Sequence, residues 1–505
     1  MTSIVRPRRT GLIVFAARII SVFTGLIFLV MMTRWLAPAQ FGLWEVITTI
    51  VAFSAYPVGV VTYWATREVA RGSAVAKTTL VINQLASLVG VVIYLAFALL
   101  SYDVLRTNLA AFVLAIVLVP LAYWTQATGA LLAGYDPAVN GYSLLLSEPT
   151  KLIVAYPLLF QFKLGIYAII IAIAASYLVQ GLYTTYRLWP VAAGKLDLSL
   201  GRKWLGLWHV PSLGTLTYLL GIADTFVASL AQGATILAGY YQAAFQISTV
   251  IAYGQYLSVA LYPALLRRHS DKLAGEILEF SMLFGVPMAA GVISLAPQIL
   301  YLLRPEYASV SFALVILAIS SLIMLFSNVI DQTLTGRETA DLAQEGRAGR
   351  IIRSDLMFVP VTNLVFVCGY VAVVFVLGLL GRGGQVPLSL LAAYWALAQL
   401  GAWLLMVAVK FERLRSRVAF TFPRPILAYV AVGALMGVVV HFAGVAVLPS
   451  GLGGLEYGTR LLLLVLLGAA VYFGVLVSFE KRVRGYFRAV LGRIPRGTAP
   501  SPTTA

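Results

Sequence analysis

Polar side chains that recur at helical spacing inside an apolar chain are the groups best placed to do chemistry here. Between Phe41 and Tyr63, residues Glu45, Thr49, Ala52, Tyr56, Gly59 and Tyr63 fall at i, i+4, i+7, i+11, i+14 and i+18, one face of an α-helix. A carboxylate, a hydroxyl and two phenols on that face offer hydrogen bonds and stacking surface to a sugar. A second stretch repeats the design 197 residues later, with Gly42-Leu43-Trp44 set on Gly239-Tyr240-Tyr241. Glu45 then meets Gln242, Thr49 meets Gln246, Ala52 meets Thr249, Tyr56 meets Tyr253 and Gly59 meets Tyr256. Pro57, where a kink is expected, meets Gly254. Two copies of one helix are therefore expected to face a shared polar space. The same side chains could instead join neighbouring membrane helices.

Charges inside the apolar runs form a second group, because each costs roughly 2.5 to 3.5 kcal/mol at mid-membrane on insertion scales. Arg18 lies about two helical turns into the first run, where it would hold a phosphate in a cavity or snorkel to the headgroups. Lys151 follows Glu148 by three residues on one side of a helix, the spacing of a structural ion pair. Asp224 is the only acid deep in the seventh run. It is expected to bind a coupling cation, Na+ or a proton, or to pair with an arginine. Asn83, Gln84, Gln126, Asn328 and Asp331 read as interhelical glue or helix-end groups.

The elements that must position these residues follow from composition. The 505 residues are 61% hydrophobic and 11% charged, with a mean hydropathy of +0.92, whereas soluble domains carry about 25% charged residues. An all-α integral membrane protein of about fourteen helices is expected, from a first span near 11 to 33 to a last near 457 to 479. With the N-terminus inside, only Arg34, Arg106, Lys163, Arg304 and Arg382 of the 36 Lys and Arg fall in outer connectors. Arg18, Lys151 and Arg460 lie within helices, and the other 28 are inside. That asymmetry places both termini in the cytoplasm and accounts for the net charge of +17 without a nucleic-acid partner. Cys368 is the single cysteine and the three histidines are widely separated, so no metal site is expected.

The fourth span ends in Leu132-Ala133-Gly134-Tyr135-Asp136 and the tenth in Leu334-Thr335-Gly336-Arg337-Glu338, one L-x-G-x-acid pattern. Six helices separate the copies, so both have the same topology and a pseudo-symmetry axis along the membrane normal. The expected organisation is an N-terminal lobe at 1–206, a second six-helix lobe at 207–410, two appended helices at 411–480 and a basic cytoplasmic tail at 481–505.

Three stretches together resemble the Wzx-type polysaccharide and lipid-linked oligosaccharide flippases, whose superfamily also holds MurJ-type lipid II flippases and MATE exporters. Thr33-Arg34-Trp35-Leu36-Ala37-Pro38-Ala39-Gln40-Phe41-Gly42-Leu43-Trp44 is similar to that family's signature between its first two helices. Asp224, Gly239-Tyr240-Tyr241 and Tyr262-Pro263-Ala264-Leu265 are similar to its seventh and eighth helices. Arg304-Pro305-Glu306-Tyr307-Ala308 with Thr333-Leu334-Thr335-Gly336 is similar to the approach to and end of its tenth. Ala37, where the family has Gly, and Gln40, where it has an acid, depart from the pattern in a turn.

The resemblance implies two lobes around a central cavity that opens alternately to either side of the plasma membrane. It implies a lipid-linked oligosaccharide as substrate, surrounding membrane lipids, glycan-assembly enzymes as partners, a monomer as the working unit and no catalysis. A cation-coupled exporter of the MATE class is the rival among transporters. A glycan polymerase or glycosyltransferase is the rival among enzymes, and the absence of a D-x-D motif and the short outer connectors argue against it.

Overall fold

A computed structural model describes residues 7–70, 72–189, 196–206, 208–252, 271–336, 354–417, 420, 422–449 and 453–485. Every regular element among them is helical. In chain order these are α1 (Pro7–Trp35), α2 (Pro38–Ser54), α3 (Tyr56–Ala70), α4 (Ala76–Leu105), α5 (Leu109–Ala115), α6 (Leu118–Tyr135), α7 (Pro137–Phe160) and α8 (Ile166–Leu188). The short α9 (Leu198–Gly206) leads to α10 (His209–Gly221), α11 (Asp224–Gln232), α12 (Ile236–Ala252), α13 (Asp271–Ser294) and α14 (Ala296–Leu303). After a 3-10 turn at Pro305–Val310 come α15 (Ser311–Gly336), α16 (Asp355–Arg382), α17 (Leu388–Arg417), α18 (Pro425–Val447) and α19 (Gly454–Phe479).

Ten of the described helical segments are long and apolar enough to cross a bilayer, and the α2–α3 pair makes an eleventh. The protein is an all-α integral membrane protein, because only helices and closed barrels satisfy every backbone group in lipid. The expected seventh span is divided into α10 and α11, and the eighth is described only as far as Ala252.

Proline marks both starts and breaks. Pro38, Pro137 and Pro425 open α2, α7 and α18, where no amide is needed and the fixed φ suits the first turn. Within the second span, α2 and α3 meet at 51°. The expected kink at Pro57 is realised at Ala55, because the proline ring crowds the carbonyls of the preceding turn and withholds an amide. The break frees the carbonyl of Ser54, which accepts the Tyr123 hydroxyl of α6 at 2.7 Å. Asn83 of α4 donates to the carbonyl of Tyr123 at 2.6 Å, as expected of interhelical glue.

The chain forms two compact units. One comprises Met1–Ala243, Leu303–Val310 and Pro360–Ala398; the other comprises Ala244–Leu302, Ser311–Val359 and Gln399–Ala505. In the first, α7 packs along α1 and α8, and α6 packs against α3, α4 and α8. In the second, α13 packs on α15, α18 and α19. The Gly433-x-x-x-Gly437 pair lets α18 approach α13, since a Cβ at these glycines would lie 2.8 Å from Val286 and 2.7 Å from Ser294. Buried charges in this unit are paired. Lys410 donates to Ser327 at 2.9 Å and to Asp331 at 2.8 Å. Glu279 accepts from Tyr429 at 3.3 Å and Arg482 at 2.7 Å.

Candidate functional site

The break between α10 and α11 delivers Asp224 as the first residue of α11, with only 6% of its surface exposed. One oxygen, Oδ1, accepts the Thr225 amide at 2.7 Å and the Thr225 hydroxyl at 3.3 Å. The other, Oδ2, accepts the Tyr370 hydroxyl of α16 at 2.6 Å. Trp395 of α17 donates its indole N–H to the Tyr370 oxygen at 2.8 Å. Tyr241 of α12 lies with its hydroxyl 3.3 Å from that of Tyr370 and stacks on Trp395 at 3.9 Å and 6°. Gln242 donates to the Thr225 hydroxyl. Four helices thus meet at one carboxyl, and the groups that donate to it among the described residues, from Thr225, Tyr370 and Trp395, are all neutral.

The far end of α11 is held as firmly. Gly233 takes a left-handed φ of 74° and returns its amide to Ser229, while Arg382 donates to the carbonyls of Ala231 and Leu230. A cation on the last carbonyls complements the helix dipole. Gly378 of α16 lies where a Cβ would come within 2.6 Å of Ala231, so α16 can lie directly on α11.

The first polar stripe is split by the 51° bend. Glu45 and Thr49 remain on α2, while Tyr56, Gly59 and Tyr63 belong to α3, so the straight-helix register that aligned all five does not persist. Glu45 is half-buried, on a helix that packs against α11, within electrostatic reach of Asp224. The hydroxyls of Thr48 and Thr49 both return to the Glu45 carbonyl at 2.9 Å. Tyr56 and Tyr63 are half-buried, and the Arg67 guanidinium lies 4.8 Å over the Tyr63 ring. Phe53, Phe97 and Phe226 close into a ring cluster joining α2, α4 and α11.

In the second stripe Gln242 is buried, and Gln246 and Thr249 are half-buried; the Thr249 hydroxyl donates to the Gln246 carbonyl at 2.7 Å. Tyr253 and Tyr256 lie outside the described residues, as does the side chain of Arg18 on α1. Lys151 and Glu148 form an ion pair at 2.5 Å. Thr24 of α1 donates to Glu148 at 2.6 Å, and the Lys151 ammonium lies 5.4 Å over the Phe28 ring. The pair therefore ties α7 to α1. Among the described residues no three His, Cys, Asp or Glu side chains converge to hold a metal ion.

The glycines that aligned the two stripes meet in space. A Cβ on Gly42 would lie 1.9 Å from the Thr235 carbonyl oxygen, and one on Gly239 would lie 2.0 Å from that of Pro38. The N-terminal ends of α2 and α12 thus touch backbone to backbone. Thr235 donates its hydroxyl to the Ala39 carbonyl at 2.7 Å, and Arg304 donates to the Leu36 carbonyl at 2.9 Å. Tyr307 sits edge-on to both Phe41 and Tyr240. Sequence spacing set Gly42 against Gly239, and Asp224 stood out as a lone acid in an apolar run, but nothing marked Tyr370, Trp395 or Tyr241 as partners of the carboxyl. Their only signal was a polar aromatic in mid-span.

No family model matches the chain, and no curated protein matches its sequence. Solved structures do. The lipid II flippase MurJ, in an inward closed conformation, superposes with a TM-score of 0.61 over 95% of this chain and 100% of its own, at 13% identity. A multidrug-resistance MATE transporter of the MOP superfamily, inward-facing, gives 0.57 over 78% of this chain and 95% of its own, at 15% identity. A MATE protein in complex with MaL6 gives 0.53 over 81% and 97%, at 11% identity. The chain has the fold shared by these transporters and this flippase.

Proposed function

We propose that this protein is a flippase that moves a polyprenyl-(di)phosphate-linked oligosaccharide from the cytoplasmic to the external leaflet of the plasma membrane by alternating access. The observation that carries this reading over the drug-exporter alternative is coverage. The lipid II flippase spans 95% of the chain, whereas the MATE structures named above span 78% and 81%. The fourteen spans expected from hydropathy, two beyond twelve, would suit a substrate with a long apolar tail that stays in lipid while its head crosses.

The parts of such a substrate assign roles. Arg18 would hold the phosphate. Glu45, Thr49, Tyr56 and Tyr63, with Gln242, Gln246, Thr249, Tyr253 and Tyr256, would offer hydrogen bonds and stacking faces to the sugars. Asp224 would couple the cycle to Na+ or H+, since a buried carboxyl facing only neutral donors gains most from an arriving cation. Both termini would be cytoplasmic and the monomer sufficient. The step needs no covalent chemistry.

Purified protein in liposomes with a defined lipid-linked oligosaccharide, scored for transbilayer movement with and without a Na+ or proton gradient, tests the proposal. Movement that wild type supports, that Arg18→Gln slows, and that loses its gradient dependence in Asp224→Asn is the expected outcome. Transport of small cationic drugs without lipid movement would establish the exporter instead.

A further inference from the structure

The helix α9 divides its circumference into three sectors at 100° per residue. Leu200, Gly201 and Trp204 face the protein. Trp204 is buried among Val61, Ala65, Val75 and Leu188, and a Cβ on Gly201 would lie 2.5 Å from Ile82. The neighbouring sector carries Leu198 and Leu205, exposed by 58% and 59%. The third sector carries Ser199, Arg202 and Lys203, all exposed. Trp189 and Tyr186 before α9, and Trp208 after it, are exposed as well. A helix with one side on protein and the rest in water has no use for exposed leucines beside exposed tryptophans. A helix lying flat at a bilayer boundary needs all three: an apolar sector toward acyl chains, a basic sector toward phosphates and aromatic rings at headgroup depth.

The surrounding charge favours anionic lipid. Lys77 is exposed in the first turn of α4, next to Thr78, whose hydroxyl accepts the Asp197 amide at 2.9 Å just before α9 begins. The nearby acids bond within the protein and form no ion pair with Lys77, Arg202 or Lys203 among the described residues. Asp197 accepts the Ser199 amide at 2.9 Å and hydroxyl at 2.6 Å, bonds that hold its carboxyl below the usual carboxylate range. Glu68 accepts from Ser73 at 3.1 Å, and Asp136 caps α7 and lies 3.9 Å from Arg187. Lys77, Arg202 and Lys203 make no ion pair among the described residues.

We infer that α9 is an interfacial strap that binds anionic phospholipid headgroups through Lys77, Arg202 and Lys203, with Leu198 and Leu205 in the acyl region. The inference rests on α8 crossing the bilayer, not on what the protein transports. Each basic residue near an anionic surface is worth about fivefold in lipid preference. Because α9 packs on α3 and α4 and leads into α10, headgroup occupancy would clamp the connector between the two sequence repeats.

The full chain reconstituted in nanodiscs of phosphatidylcholine, with or without phosphatidylglycerol, tests it. Phosphatidylglycerol is expected to raise the thermal unfolding temperature of wild type, and a Lys77→Gln, Arg202→Gln, Lys203→Gln variant is expected to lose more than half of that shift. Arg202→Lys, which keeps the charge, retains it, and soluble glycerol phosphate produces none. An equal shift in wild type and the triple variant, or no shift in wild type, overturns the headgroup assignment. A fluorophore on Leu205→Cys in a Cys368→Ser background reads the apolar sector even if the triple variant folds poorly. Quenching by bilayer-embedded quenchers is expected; quenching by aqueous iodide alone overturns the strap.

Discussion

Asp224 and Lys410 are both buried charged residues, and their surroundings differ in kind. Lys410, fully buried, is matched by the Asp331 carboxylate and the Ser327 hydroxyl. Removing one member of such a pair strands the other, at about 3 to 5 kcal/mol, while replacing both with apolar groups is often neutral. Lys410→Met should therefore lower the thermal stability of the solubilised protein sharply, and Lys410→Met with Asp331→Leu should restore most of it. Asp224 faces only neutral donors. Tyr370→Phe removes the hydroxyl on Oδ2 and should cost about 1 to 3 kcal/mol in chemical denaturation. Trp395→Phe, which removes the indole N–H that Tyr370 accepts and leaves the Tyr370 hydroxyl on Oδ2 in place, should cost less. Sequence singled out Asp224 because one acid in a long apolar run is conspicuous. It could not find Tyr370 or Trp395, because tyrosine and tryptophan are ordinary in membrane helices and their hydroxyl and indole groups acquire meaning only from what they face.

Among the elements, the α2–α12 contact depends on two missing side chains. An alanine at Gly42 or Gly239 would drive a methyl into a backbone carbonyl that cannot rotate away. Gly42→Ala and Gly239→Ala should each separate the helix ends. Spin labels at Gln40 and Ala234 would report a longer distance than in wild type, with transport reduced in the liposome assay. An unchanged distance would show that the helices slide to accommodate the methyl. The bend at Ala55 belongs to the same scale. Pro57→Ala returns an amide able to bond the Phe53 carbonyl, and should raise hydrogen-exchange protection through residues 53 to 58. The stripe at 41 to 63 was legible as residue spacing, but its division between α2 and α3 was not. A proline announces a kink without stating its angle or which neighbour will satisfy the freed carbonyl, here Tyr123.

At the scale of the molecule, α18 and the chain end that follows α19 are anchored on α13 by Glu279, which accepts from Tyr429 and Arg482. Ending the chain before α18 would uncover Glu279 and the α13 surface that receives Gly433 and Gly437. Such a truncation should unfold at a distinctly lower temperature in detergent, and Glu279→Gln should fall between it and wild type. What the sequence by itself determined is the class of the protein, an all-α integral membrane protein, and the spacing that sets Gly42 against Gly239. Hydropathy and period are summed along the chain and need no partner to be read. What only the tertiary structure decided is which faces meet: the backbone contact of the two glycines, the aromatic shell of Asp224 and the ion pairs of Lys410 and Glu279. In an apolar medium the hydrophobic effect does not choose between helix faces, so close packing and a few hydrogen bonds make that choice, and neither is written in local periodicity.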